Sequence, residues 1–95
     1  MTELELLTSI KKIIQHHLGD EVQIVLFGSR ASGKSVDFSD YDIGLRTKKP
    51  LPPLTVARIY EEIEELPILR KVDIVDLSKV TKRFYATAMT HTRVI

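Results

Sequence analysis

The sequence predicts an α+β fold: a small mixed β-sheet of three or more strands with helices packed against it, in a single domain spanning residues 1–95. Hydrophobic periods of helical and strand type alternate along the chain in the order helix, strand, loop, strand, helix, strand, helix. No internal repeat, low-complexity tract or long linker interrupts them. With 95 residues, 43% hydrophobic and 28% charged, there is material for one core and not for two domains.

The elements follow in order. Thr2 and Glu5 form a capping box, and Leu4, Leu7, Ile10, Ile14 and Leu18 recur at helical spacing until Gly19-Asp20 stops the run. Residues 22–27, Val-Gln-Ile-Val-Leu-Phe, are β-branched and nearly all apolar, as expected of a strand covered on both faces. They deliver the chain to Gly28-Ser29. Residues 29–38 are small, polar and basic and read as loop, with a strand-like pattern returning over residues 41–46 until Pro50, Pro52 and Pro53 break it. Thr55 is positioned to cap a helix whose stripe is Val56, Ile59 or Tyr60, and Ile63, closed by Pro67, with Glu61, Glu62, Glu64 and Glu65 on its outer side. Residues 71–77 form a third strand, and Ser78 opens a basic helix carrying Lys79, Lys82 and Arg83 towards Met89.

Bulk properties narrow the function classes. A formal net charge of +1 points to no polyanionic partner, so direct nucleic-acid binding is not indicated. The chain has no cysteine, no apolar run near the ~20 residues of a membrane span, and Glu3 and Glu5 where a secretory signal would be basic. The expectation is a cytoplasmic protein away from membranes.

Two phosphate-handling patterns overlap near the second strand. Gly28-Ser29-Arg30-Ala31-Ser32-Gly33-Lys34-Ser35 satisfies the P-loop pattern, whose lysine and following hydroxyl stand at the start of a long helix. Only Val36, Asp37, Phe38 and Ser39 separate Lys34-Ser35 from the next acidic strand, too few for that helix. A P-loop NTPase is therefore the weaker reading, although Val72 to Asp76 imitates the apolar strand ending in aspartate of such enzymes.

The alternative uses more of the residues. Asp40 and Asp42 are two apart, so on a strand they project to one face, where their oxygens suit a pair of hard cations about 4 Å apart. Asp73 can complete the set, sharing a face of its strand with Val75, while Val72, Ile74 and Asp76 take the other. Three carboxylates with two magnesium ions are what in-line nucleotidyl transfer requires. Gly28 lets the backbone approach a triphosphate, and the Ser29 hydroxyl with the amides around Ser29 and Arg30 can bind its oxygens, aided by a short helical turn beginning there.

Together, Gly28-Ser29-Arg30-Ala31-x-Gly33, Ser39-Asp40-x-Asp42-Ile43-x-Leu45 and Val72-Asp73-Ile74-Val75 resemble the minimal nucleotidyltransferases of the DNA polymerase β superfamily, over almost the whole chain. The resemblance implies that superfamily's nucleotidyltransferase core, with Gly28 and Ser29 as the triphosphate pair, Arg30 as a secondary phosphate contact, and Asp40, Asp42 and Asp73 as catalytic metal ligands. It also implies two Mg2+ ions and ATP as nucleotide donor. This sequence departs from the family at Ser32, where a longer residue is common, and at Gly44, where a longer apolar one is.

Larger members carry a further domain for the acceptor, so here a second protein or a second copy of the chain, as hetero-oligomer or homodimer, is expected to supply it. The resemblance implies a HEPN-domain ribonuclease toxin as that partner, with AMP moved to one of its tyrosines and the chain acting as antitoxin. The rival reading is a binding module that neutralises the toxin by complex formation alone. Among the other residues, His16, His17 and His91 lack metal spacing and read as surface. Tyr60, Phe84 and Tyr85 read as core or interface aromatics, and Lys79, Lys82 and Arg83 as a solvated or partner-facing side.

Overall fold

A computed structural model describes residues 1–33 and 39–95. Four strands form one sheet in the order β3-β2-β1-β4: β1 (Gln23–Phe27), β2 (Tyr41–Arg46), β3 (Val72–Asp76) and β4 (Arg93–Val94). β1 pairs antiparallel with β2 and with β4, and β2 pairs parallel with β3, so the sheet is mixed, as predicted. Among the described residues the helices are α1 (Glu3–Leu18), α2 (Ser29–Ser32), α3 (Pro53–Glu64) and α4 (Lys82–Ala88). β4 had no signal in the sequence, because two residues are too few to show alternation.

Alternation along the strands sorts the sheet into two faces. Ile24 and Leu26 of β1, Tyr41, Ile43 and Leu45 of β2, and Val72 and Ile74 of β3 join one core with Leu6, Leu7, Ile10 and Ile14 of α1 and Ile59 and Ile63 of α3. Burying each such large apolar side chain contributes about 1.5–3 kcal/mol, which makes this two-layer core the main support of the fold. The opposite face carries Val25 and Phe27, both buried, together with Gly44, Asp42, Asp73 and Val75. α4 lies near its Phe27 end, Phe84 meeting Phe27 edge to face with centroids 6.1 Å apart.

The local signals held with several adjustments. The capping box is complete, Glu5 N–H donating to the Thr2 hydroxyl at 3.1 Å and Thr2 N–H to the Glu5 carboxylate at 3.2 Å. Gly19, at φ 81°, ends α1 as predicted. Leu4, however, is 76% exposed, and Leu6 takes the core position expected of it. α3 begins at Pro53, which suits the first turn because it lacks an N–H, so Thr55 lies inside the helix and is not its cap. α4 begins four residues later than Ser78: Thr81 caps it by accepting from Phe84 N–H at 3.1 Å, leaving Lys79 outside. His17 is half-buried and pairs with Glu62, linking α1 to α3, where surface positions were expected for both. Tyr60 finishes the edge strand, its hydroxyl accepting from Ile74 N–H at 2.6 Å and donating to Ile74 C=O at 3.2 Å.

Asp76 has a structural task. Its side chain is only 8% exposed and accepts from Leu51 N–H at 2.8 Å, from Ser78 N–H at 2.9 Å and from the Ser78 hydroxyl at 2.6 Å. Lys79 adds a bond from its ammonium to Leu51 C=O at 2.9 Å. The proline-rich connection after β2 is thereby tied to the end of β3.

Candidate active site

The site begins where β1 runs out. Gly28 adopts φ 73°, ψ −154°, a region essentially reserved for glycine, and turns the chain into the single helical turn of α2. A side chain is excluded for a second reason: a Cβ on Gly28 would collide with a carboxylate oxygen of Asp42. The amides of Ala31 and Ser32 both donate to Gly28 C=O at 3.1 Å, and the Ser32 hydroxyl donates to Ser29 C=O at 3.2 Å. Gly33, left-handed at φ 78°, ψ 7°, closes the turn. Half-buried Ser29 thus stands at its head, close to Asp42 through Gly28.

Two pairings place the carboxylates. Antiparallel register sets Asp42 opposite Phe27, and parallel register sets it opposite Asp73. Residues so paired share a face on strands about 4.8 Å apart, so the two aspartates are immediate neighbours on the face away from α1 and α3. Burial pushes the Asp42 carboxyl up from its ordinary range, and repulsion from Asp73 and then Asp40 raises it further, with Lys71 opposing. Lys71 itself pairs with Asp73 at 3.4 Å.

Not every expected residue converges. Asp40 precedes β2, is exposed, and acts on the pair from its margin; among the described residues no three acidic or histidine side chains close on a single point. The expected set of three is therefore a strand-borne pair with a third carboxylate beside it. Arg30, expected as a secondary phosphate contact, makes protein contacts in this structure. Its guanidinium donates to Ser39 C=O at 2.9 and 3.3 Å and lies 4.4 Å over the ring of Tyr41, a core-face residue. It braces the turn against the entry to β2. Asp76, on the core-face parity, stays out of the site as its register predicts. Lys34 and Ser35, on which the P-loop pattern depends, lie outside the described residues, as do Val36, Asp37 and Phe38. β1 and β2 are nonetheless antiparallel neighbours, whereas a P-loop unit returns through its helix to a parallel strand.

The Gly44 departure has a local compensation. A Cβ there would meet Leu77 at 2.7 Å and Val25 at 3.1 Å, so the Leu77 side chain fills the space that a longer residue would occupy. Lys71, Phe27 and Phe84 also border the site; sequence patterning could not single them out, since their nearness depends on strand pairing and on where α4 docks.

A glycine-serine turn pressed against paired aspartates, on the face of a mixed sheet away from α1 and α3, is suited to holding a polyphosphate and the cations that accompany it. That arrangement defines a class, enzymes of nucleotidyl transfer. Residues 8–95 match the family model described as polymerase beta, nucleotidyltransferase. The chain belongs to that family and is a nucleotidyltransferase by membership.

It is 31% identical over 76 residues to the probable protein adenylyltransferase MntA of Haemophilus influenzae, a match covering 80% of this chain and 67% of that protein. Its fold superposes with a TM-score of 0.75 on a toxin-antitoxin crystal structure with AMP-PNP, at 22% identity, covering 92% of this chain and 69% of the other. A TM-score of 0.74 relates it to a chain of the tri-AMPylated Shewanella oneidensis HEPN toxin in complex with MNT antitoxin, at 18% identity, covering 98% of this chain and 71% of that one. No described helix is long and apolar enough to cross a membrane.

Proposed function

We propose that residues 1–95 act as one nucleotidyltransferase domain that moves AMP from ATP to a tyrosine hydroxyl of a HEPN-type toxin, and so serve as its antitoxin. One observation carries the reading: the Asp42 carboxylate occupies the space beside Gly28 while standing in register with Asp73. The turn for the triphosphate and the carboxylates for the cations are thus one site. The acceptor and partner are supported by the adenylyltransferase relative and by the folds shared with toxin complexes.

Asp42 and Asp73, with exposed Asp40 free to turn inward, would hold two Mg2+ ions, and the crowding that raises the Asp42 carboxyl is the kind that hard cations relieve. When bound, such ions neutralise the triphosphate and lower the pKa of the acceptor hydroxyl. Gly28 admits the β- and γ-phosphates to the backbone, and the Ser29 hydroxyl and amide orient them. The acceptor oxygen bonds to the α-phosphorus, the bond to the bridging β-oxygen breaks, and pyrophosphate leaves. Asp73, at the outer strand of the pair, accepts the hydrogen bond of the acceptor hydroxyl and takes up its proton as the oxygen bonds to the α-phosphorus.

Intact-mass measurement of the HEPN partner after incubation with the chain, ATP and Mg2+ should show whole AMP increments, reduced about 100-fold or more in rate by Asp42→Ala. An unmodified partner would overturn transfer. An Asp40, Asp42 and Asp73 triple alanine variant that still protected cells fully would favour inhibition by complex formation.

A further inference from the structure

We propose that Phe84 is the stacking platform for the nucleobase of the donor nucleotide, an inference that rests on the site assigned above. Phe84 is an aromatic residue left 42% exposed on α4, and its partner among the rings is Phe27. Phe27 is the register partner of Asp42 and shares its face, so the Phe84 ring stands one side chain away from the carboxylate pair. The two rings meet at 83°, an edge-to-face contact that leaves at least one face of Phe84 clear of Phe27.

The ring is held in place by its surroundings. The Thr81 hydroxyl accepts from the Phe84 amide, fixing the backbone at the first turn of α4. Leu77, seated in the space left by Gly44, anchors the segment entering that turn, and Arg46 lies 5.8 Å over Tyr85, the next residue along. A triphosphate at Gly28-Ser29 and Asp42 leaves its base to extend towards the α4 side, because α1 and α3 cover the other face of the sheet. Among the described residues Phe84 is the exposed aromatic on that side, and every nucleobase has a π-face to offer it. Phenylalanine has no hydrogen-bonding group to read base edges, so the platform adds affinity without choosing between bases.

Calorimetric titration of the full chain with Mg-ATP, Mg-GTP and Mg-tripolyphosphate tests this directly. Phe84→Ala should weaken both nucleotides about 5- to 100-fold and by similar factors, leave tripolyphosphate binding unchanged, and be rescued by Phe84→Tyr. A melting curve for each variant establishes that it is folded. Equal losses for nucleotides and tripolyphosphate, or nucleotide binding indifferent to Phe84→Ala, would overturn the stacking role alone. Failure of the parent protein to bind Mg-ATP would overturn the assigned site together with it.

Discussion

Gly28→Ala isolates the contact on which the site depends, and Gly19→Ala is its internal control. Both glycines occupy the same backbone region, φ 73°, ψ −154° at Gly28 and φ 81°, ψ 178° at Gly19, where a Cβ costs about 1–3 kcal/mol. At Gly19 nothing lies within 4 Å of the added atom, so that cost is backbone strain alone, offset by about 0.4–1 kcal/mol of entropy removed from the unfolded chain. At Gly28 the added atom also strikes the Asp42 carboxylate, and overpacking of this kind costs a further ~1–3 kcal/mol. Gly28→Ala should therefore be the more destabilising by about 1–3 kcal/mol, or roughly 4–20 °C in Tm for a domain of this size.

Urea unfolding of the two single variants, Asp42→Ala and the Gly28→Ala/Asp42→Ala pair gives the assay. Removing the carboxylate should return the cost of Gly28→Ala to that of Gly19→Ala, a coupling of about 1–3 kcal/mol. AMP transfer should be lost in Gly28→Ala and kept in Gly19→Ala. A Gly28→Ala variant no less stable than Gly19→Ala, or a cost that Asp42→Ala leaves unchanged, would refute the claim that this glycine makes room for the aspartate.

Two predictions concern the ionisation of Asp42 and Asp76. Asp42→Asn should raise stability at neutral pH while abolishing transfer, because ionised Asp42 is disfavoured by burial and by Asp73 and Asp40. Its folded pKa lies above the unfolded one, so parent stability should fall as pH rises through that interval, a decline absent from the variant; equal denaturation midpoints at pH 7 would contradict it. Asp76→Ala should cost about 2–3 kcal/mol, since it strands the Leu51 N–H. At Asp76 burial pushes the carboxyl up, but hydrogen bonds from Leu51 and Ser78 and the charge of Lys79 outweigh it and hold the pKa below the ordinary value. Its stabilisation is complete above the unfolded pKa of about 3.9 and lost as pH falls through the lower folded one, so the variant's acid unfolding limb should be shallower.

Much of the site was legible because its signals are local. The period of two along a strand places Asp42 opposite in direction to Tyr41 and separates Asp73 from Asp76, and the structure keeps both separations. The contacts of Arg30 were not legible because a basic residue beside a phosphate turn has two directions to point, and the Tyr41 ring and Ser39 carbonyl that hold it become neighbours only when β2 returns beside β1. The starts of α3 and α4 shifted for a related reason. Thr55 and Ser78 are both plausible caps by residue type, but Pro53 already suits a first turn and Asp76 occupies Ser78.

The amino-acid sequence by itself determined the α+β class, the first helix with both of its ends, the three principal strands and the facing of Asp42, Asp73 and Asp76, since each rests on spacing within a few residues. Tertiary structure alone decided that β2 lies between β1 and β3, and with that the neighbourhood of Gly28, Asp42 and Asp73. Asp42 and Asp73 are joined by a parallel pairing whose register is set by two helices burying one face of the sheet. A one-residue slip would send Asp73 into the core, and the cost of burying that charge is what holds the aspartate pair on the face away from α1 and α3.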